Sequence, residues 1–237
     1  MCTVTYLPTP GGYFFTSNRD ESPERVSGEI RTRELSDQRL LYPLDSSAGG
    51  TWLAVSNADR LVCILNGAFQ RHDRRPPYRR SRGLMALDYF SFPDPEAFFR
   101  QYQFKNMEPF TMVILEGKLL WDFKWDGRQR YLLPLDPEEP YIWSSATLYS
   151  LEMAERRARW FYRWLTEHGE DYDSEKILHL HRTGGEGDPF NDYVMNRGNL
   201  VRTVSITHVK RDEERFHMRH EPLMGKEAIK YSTLHKY

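Results

Sequence analysis

Two runs in this chain, Leu61-Val62-Cys63-Ile64-Leu65 and Met112-Val113-Ile114-Leu115, are apolar at every position. A strand with one face in water alternates polar and apolar residues, so a strand without a polar face must be covered on both sides. Both runs fall far short of the roughly 18 apolar residues that would make a membrane-spanning helix. They therefore call for a layered interior and predict no stable membrane insertion. At 237 residues the chain can bury roughly 70–75% of its unfolded surface, so it needs no disulfide or metal staple. Its 14 Tyr, 13 Phe and 6 Trp exclude intrinsic disorder.

No repeat, low-complexity tract or long Ser/Gly/Pro linker divides the sequence, which reads as a single domain over residues 1–237. Pro8 to Gly12 separates two β-rich runs, Cys2 to Leu7 and Tyr13 to Asn18, and predicts a hairpin. A second hairpin is expected from Thr51–Ser56 and Leu61–Leu65. A three-strand meander is expected from Phe110–Leu115, Lys118–Trp125 and Arg130–Leu133 across tight turns.

Helices are expected at Ser81–Phe90, after the Asp94-Pro95 cap, from Ser150 to His168 and from Asp173-Ser174 onward. In the third, Leu151, Ala154, Ala158, Phe161 and Leu165 recur at helical spacing and predict its buried stripe. Strands return at Leu200–Val209 and Arg215–His220. Helices set between groups of antiparallel strands give an α+β class, with two sheets stacked between helical layers.

The 33 Lys+Arg and 34 Asp+Glu leave a formal net charge of -1, which gives no global attraction to nucleic acid. The segment Arg71 to Arg82 concentrates six arginines against Asp73. It reads as a solvated loop, or as a grip for a carboxylate or phosphate through forked hydrogen bonds. Two cysteines are too few for a disulfide framework, and the first residues carry no secretory signal, so a reducing cytoplasmic setting is expected. His179 and His181, at a spacing that diverges on a helix, and His217 and His220 complete no metal-ligand set. No metal and no cofactor are expected.

The position with the most chemistry is Cys2. Once Met1 is removed, as is usual before a small second residue, Cys2 carries a thiol and a free α-amine on one framework. That is a nucleophile with its own base, since an α-amine titrates at about 7.7–8.0. The bland alternative is a small apolar residue early in an edge strand. The block Asn18-Arg19-Asp20-Glu21 ends the second strand, where an arginine can favour a thiolate and an aspartate can orient an amine. In a regular strand Arg19 and Asp20 point to opposite faces, so both reach one site only where the strand ends or bulges. Charges at a strand end also fit a solvated turn.

Met1-Cys2, Asn18-Arg19-Asp20-Glu21, Gly49-Gly50-Thr51-Trp52-Leu53-Ala54 and Leu65-Asn66 together resemble the NRDE family, which includes the transport and Golgi organisation 2 proteins. Ser81-Arg82-Gly83-Leu84, Trp143-Ser144-Ser145-Ala146 and Arg202-Thr203 extend the resemblance over nearly the whole chain. That family is similar in plan to N-terminal nucleophile hydrolases of the penicillin V acylase and bile salt hydrolase type, which implies a four-layer αββα sandwich. The resemblance further implies Cys2 as nucleophile and base, Arg19 and Asp20 beside it, Asn66 as an oxyanion donor and Arg202 as a supporting charge. Asn18, Trp52, Ser144 and Ser145, with Arg79 and Arg80 of the basic segment, are the expected substrate contacts.

Two departures stand out. Ser145 occupies the place of a family asparagine, so a hydroxyl replaces an amide donor. Arg19 and Asp20 are adjacent, where the acylase signature places two residues between its arginine and aspartate. The implied activity is hydrolysis of a carbon–nitrogen amide in a small acylated substrate. The alternative is a non-hydrolytic carrier of an apolar anionic ligand such as haem, lipid or acyl-CoA. A redox-sensitive thiol at Cys2 or Cys63 is a third reading.

Overall fold

The computed structural model describes residues 3–25, 27–35, 37–225 and 227–237. β1 (Thr3–Thr9) and β2 (Gly12–Glu21) form the expected N-terminal hairpin. A seven-stranded sheet follows the chain order of β3 (Ser27–Leu35), β4 (Gln38–Asp45), β5 (Leu53–Ser56), β6 (Arg60–Asn66), β7 (Phe110–Glu116), β8 (Leu119–Trp125) and β9 (Arg130–Leu135). The β3–β4 hairpin is an addition to the sequence reading. Its outward positions Glu29, Arg31 and Arg33 conceal the strand pattern behind charge.

The other seven-stranded sheet runs β10 (Tyr141–Ser144), β1, β2, β12 (Val201–Arg211), β13 (Arg215–Pro222), β14 (Lys230–His235), with the short β11 (Asn196–Arg197) pairing beside β12. All neighbouring strands in both sheets are antiparallel. β1 and β12 flank β2, and this seats the Asn18-Arg19-Asp20-Glu21 block in the middle of the sheet rather than at a solvated turn.

Three apolar cores separate four layers. Leu61, Cys63 and Leu65 of β6 and Val113 and Leu115 of β7 pack between the sheets against Val4, Phe15 and Val209. The intervening residues Val62, Ile64, Met112 and Ile114 face the other way, into a core with α1 (Arg82–Asp88) and α2 (Pro95–Gln101). The uninterrupted apolar runs are thus two opposite-facing rows of one strand, each buried in its own core. The third core covers the outer face of the first hairpin with α3 (Leu151–His168) and α4 (Ser174–Thr183). The order helix, sheet, sheet, helix is the expected αββα sandwich.

Caps follow the sequence signals. Ser81, Asp94, Ser150 and Asp173 each accept a hydrogen bond from the amide three residues on, satisfying a free N–H of the first turn. The stripe of α3 has the expected period but another phase. Its buried residues are Arg157, Trp160, Phe161 and Trp164, while Leu151 is 78% exposed. Two indoles and a phenyl ring bury far more apolar area against Leu7 and Phe14 than the leucine and alanine row could, so the helix turns that side inward. No helix among the described residues is long and apolar enough to cross a membrane.

Candidate active site

The end of β2, the turn after β4, the end of β6 and the arginine-rich segment before α1 meet at one cleft of about 350 Å³. Arg19, Asp45, Trp52, Asn66, Arg80 and Arg82 are among its walls. Arg19 points from β2 into the space between the sheets and is only 3% exposed. Its guanidinium lies over the Trp52 ring at 4.6 Å, donates to the Arg25 carbonyl at 2.7 Å and pairs with Asp45 at 3.1 Å. Burial lowers the Arg19 pKa, and the Asp45 carboxylate opposes that shift. A charge so buried persists because a carboxylate, a carbonyl and an aromatic face replace its water.

Asp45 is the hub that the sequence reading missed. One oxygen holds both Arg19 and Arg25, while the other accepts the amides of Ser47 and Ala48 at 3.1 and 3.2 Å. The aspartate therefore caps its own turn and neutralises two arginines at once. Its only signal in the sequence is an Asp ahead of Ser46-Ser47, which by itself marks a turn.

Two glycines set the cleft wall. A Cβ on Gly50 would lie 2.5 Å from the Gly83 carbonyl carbon, and one on Gly83 would lie 2.8 Å from the Thr51 oxygen. The two backbones touch there, and the Thr51 amide donates to the Gly83 carbonyl at 3.1 Å. This contact gives the separate blocks around Gly50 and Gly83 a shared physical reason. Gly83→Ala is expected to cost about 1–3 kcal/mol by overpacking, read as a lower urea midpoint with an unchanged slope. An unchanged midpoint would refute the contact.

The basic segment is held from beneath. Glu108, 12% exposed in its side chain, is within 3.2 Å of Arg82 and 3.4 Å of both Arg74 and His72. Burial also lowers the Arg82 pKa, with Glu108 acting against it. Arg80 lines the cleft, but its guanidinium is forked onto Asp88. Arg79 is directed elsewhere, donating to the Gln103 carbonyl and lying 5.2 Å from the Tyr102 ring. Of the two arginines expected to contact substrate, one is at the cleft and engaged, and the other is outside its walls.

Asn18 and Asp20 project from the opposite face of β2. Asn18 is fully buried, with its amide donating to the carbonyls of His181 at 3.0 Å and Tyr193 at 2.7 Å and its oxygen 2.6 Å from the His181 Nδ1. It fastens α4 and the 193 segment to the sheet and does not line the cleft. Asp20 accepts from the Tyr149 hydroxyl at 2.7 Å and the Thr203 hydroxyl at 2.6 Å. The alternation of a regular strand thus separates Arg19 from Asp20, since the irregularity in the pairing falls on β12, between Thr203 and Ser205.

Thr3 pairs with Asn18 on one side and Ser144 on the other. Cys2 lies outside the described residues. Ser145, buried, donates to the Asn66 carbonyl at 2.9 Å and contacts the Thr147 hydroxyl at 3.0 Å, so it ties β10 to the end of β6. The Asn66 side-chain amide makes no hydrogen bond among the described residues and borders the cleft. The following Gly67, at φ +81°, turns the chain away where a side chain would strike Thr147. Arg202 sits in register with Glu21 and forms no ion pair among the described residues, with its Nε buried and unpartnered.

The paired histidines are occupied by structure. His181 is held between Thr5 and Asn18, and His220 contacts Thr207 at 2.9 Å. Burial pushes both down to about 3, so they are neutral at pH 7. No group of three or more His, Cys, Asp or Glu among the described residues is placed to hold a metal.

Two antiparallel sheets stacked between helical layers are the arrangement of the N-terminal nucleophile hydrolase fold. A mutant conjugated bile acid hydrolase from Clostridium perfringens matches with TM-score 0.61 at 10% identity, over 99% of this chain and 92% of that one. Another variant of the same hydrolase matches with TM-score 0.60 at 11% identity over the same shares, 99% and 92%. These likenesses establish the fold. The sequence profile of the Transport and Golgi organisation 2 family matches residues 1–219, and the chain belongs to that family. No curated protein sequence matches it.

Proposed function

We propose that this chain is an N-terminal cysteine amidohydrolase acting on the carbon–nitrogen bond of a small acylated substrate. The observation that carries the reading is the fixed Arg19 guanidinium facing a cleft beside an unspent Asn66 amide, with Thr3 at the start of β1 in register with Asn18 next to that arginine. Cys2 directly precedes Thr3 in the sequence. With Met1 removed, its α-amine takes the thiol proton and the sulfur attacks the acyl carbon. The carbonyl oxygen gains the charge and is stabilised by the Asn66 amide, a contact worth about 3–4 kcal/mol when well aimed. Collapse breaks the C–N bond as the ammonium returns its proton to the leaving amine. Water then cleaves the thioester, releasing the acid and the thiol.

Asp20, held by Tyr149 and Thr203 on the far face of β2, supports the strand that carries Arg19 rather than lining the cleft. Trp52 and Arg80 border the substrate space. The neighbours are by name hydrolases of conjugated bile acids, which supports a conjugated substrate for this chain. The one cysteine among the described residues, Cys63, is free and buried.

A second reading has its own support. Ser145 spends its hydroxyl on the Asn66 carbonyl, so it offers no second oxyanion donor in place of the family asparagine. A cleft with fewer donors suits retention of an anionic apolar ligand, such as haem, a lipid or acyl-CoA, rather than its hydrolysis. Intact mass and trapping with an activated ester decide between the two. Hydrolysis requires loss of Met1 and an acyl adduct on Cys2 that disappears in Cys2→Ala. A retained Met1, or adduct formation unchanged in Cys2→Ala, overturns the amidohydrolase.

A further inference from the structure

Around Arg19, two strands and a turn bring polar side chains together in the layer between the sheets. Trp52 enters from the turn before β5, Ser205 from β12 and His220 from β13. Ser205 is the register partner of Arg19, and His220 that of Thr207, so all four residues project from the same face of their sheet. The Trp52 and His220 rings lie 5.9 Å apart between centroids, and the Arg19 guanidinium covers the indole from the cleft side.

Trp52 is 5% exposed, and Ser205 and His220 are 0% exposed. The Trp52 Nε1, the Ser205 Oγ and the His220 Nε2 are all buried without a hydrogen-bond partner among the described residues. Buried polar atoms in folded proteins are almost always partnered, by protein or by ordered water. Three such atoms on neighbouring elements, the turn before β5 and strands β12 and β13, point to a shared partner rather than to three separate defects.

We infer that Trp52, Ser205 and His220 enclose an internal water site that fixes the indole on which Arg19 rests. The chemistry of the three atoms selects the occupant. The indole nitrogen only donates, while the hydroxyl and the imidazole nitrogen can donate or accept, so the partner must do both. Water does, and a buried water typically makes about three such bonds. An anion fits less well, because burial keeps His220 uncharged and Arg19 is already spent on Asp45 and the Arg25 carbonyl. The water thereby links β12 and β13 to the platform beneath Arg19, independently of whether Cys2 is a nucleophile.

The site makes a prediction of sign. If water bridges the three atoms, Ser205→Ala removes one bond and strands the others, lowering the melting temperature by about 2–4 °C for each 1 kcal/mol lost. If the atoms are truly orphaned, the same variant removes a desolvated hydroxyl and raises the melting temperature. A crystal structure of the full chain at about 1.5 Å resolution supplies the second readout. A density peak within about 3.2 Å of at least two of the three atoms supports the inference. A dry site, or a raised melting temperature in Ser205→Ala, overturns it.

Discussion

Replacing Arg157 with alanine is expected to lower stability by about 4 kcal/mol and the melting temperature by roughly 10 °C. Arg157 is fully buried on α3, where sequence logic would place a surface charge. Its guanidinium donates to the carbonyls of Asn191 and Asp192, at 2.9 and 2.6 Å from Nη2, and to the Thr3 hydroxyl. It also lies 3.7 Å from the centre of the Tyr149 ring, a cation–π contact worth about 2 kcal/mol when desolvated. Removal leaves two carbonyls and a hydroxyl without a donor, and a hole the size of the side chain.

The consequence reaches the proposed site. Thr3 begins β1, and Tyr149 holds Asp20, so Arg157 braces both the entering strand and the carboxylate. Amide exchange at Thr3 to Tyr6 should accelerate in Arg157→Ala more than in the β6–β7 core. Lysine is expected to rescue little, because a single ammonium cannot reproduce the planar fork that serves three acceptors and a ring. Urea denaturation checks the magnitude, and a loss below about 1 kcal/mol would mean the guanidinium is not a brace.

Acidification should begin to erode the protein's stability near pH 6.5, before ordinary carboxylates titrate. Burial pushes His181, His208 and His220 down from 6.5 to about 3, aided by nearby positive groups such as Arg157, Arg219 and Lys230. Between those values the unfolded chain takes up protons that the native state refuses. The stability these residues confer is complete above pH 6.5 and erodes as pH falls toward 3. Each contributes a slope near 1.4 kcal/mol per pH unit inside that window, so three acting together approach about 4. Against a typical domain stability of about 5–15 kcal/mol, a drop of two or three pH units is decisive.

The three histidines are well placed to resist protonation. His181 sits between Thr5 and Asn18, His208 between Thr16 and Ser174, and His220 against Thr207, with no carboxylate hydrogen-bonded to any of them among the described residues. Urea midpoints between pH 7 and pH 4 measure the effect. His208→Gln, which can keep a hydrogen bond without titrating, should flatten the slope by about a third. Stability that stays level from pH 7 to pH 4.5 would show that the histidines are protonated in the native state.

Much of the fold is legible in the residues because local and global signals agree. The apolar runs at 61–65 and 112–115 announce strands buried twice, and the Ser150 and Asp173 caps locate α3 and α4. The β3–β4 hairpin escapes notice because strand propensity is obscured by exposed charges on an edge. The phase of α3 escapes too, since a period fixes which residues share a face but not which face meets the sheet.

The site divides in the same way. The layered core and the family were legible in the residues alone, because these follow from periodicity and from blocks of adjacent residues. Only the tertiary structure decided that Asp45 and Trp52 hold Arg19, that Asn18 and Asp20 face the helices instead, and that Arg157 is buried. Those outcomes depend on strand register and on contacts between residues up to 183 positions apart, such as Asp20 with Thr203. No local pattern encodes such contacts, since they form only when the sheets stack and each buried charge must find a partner.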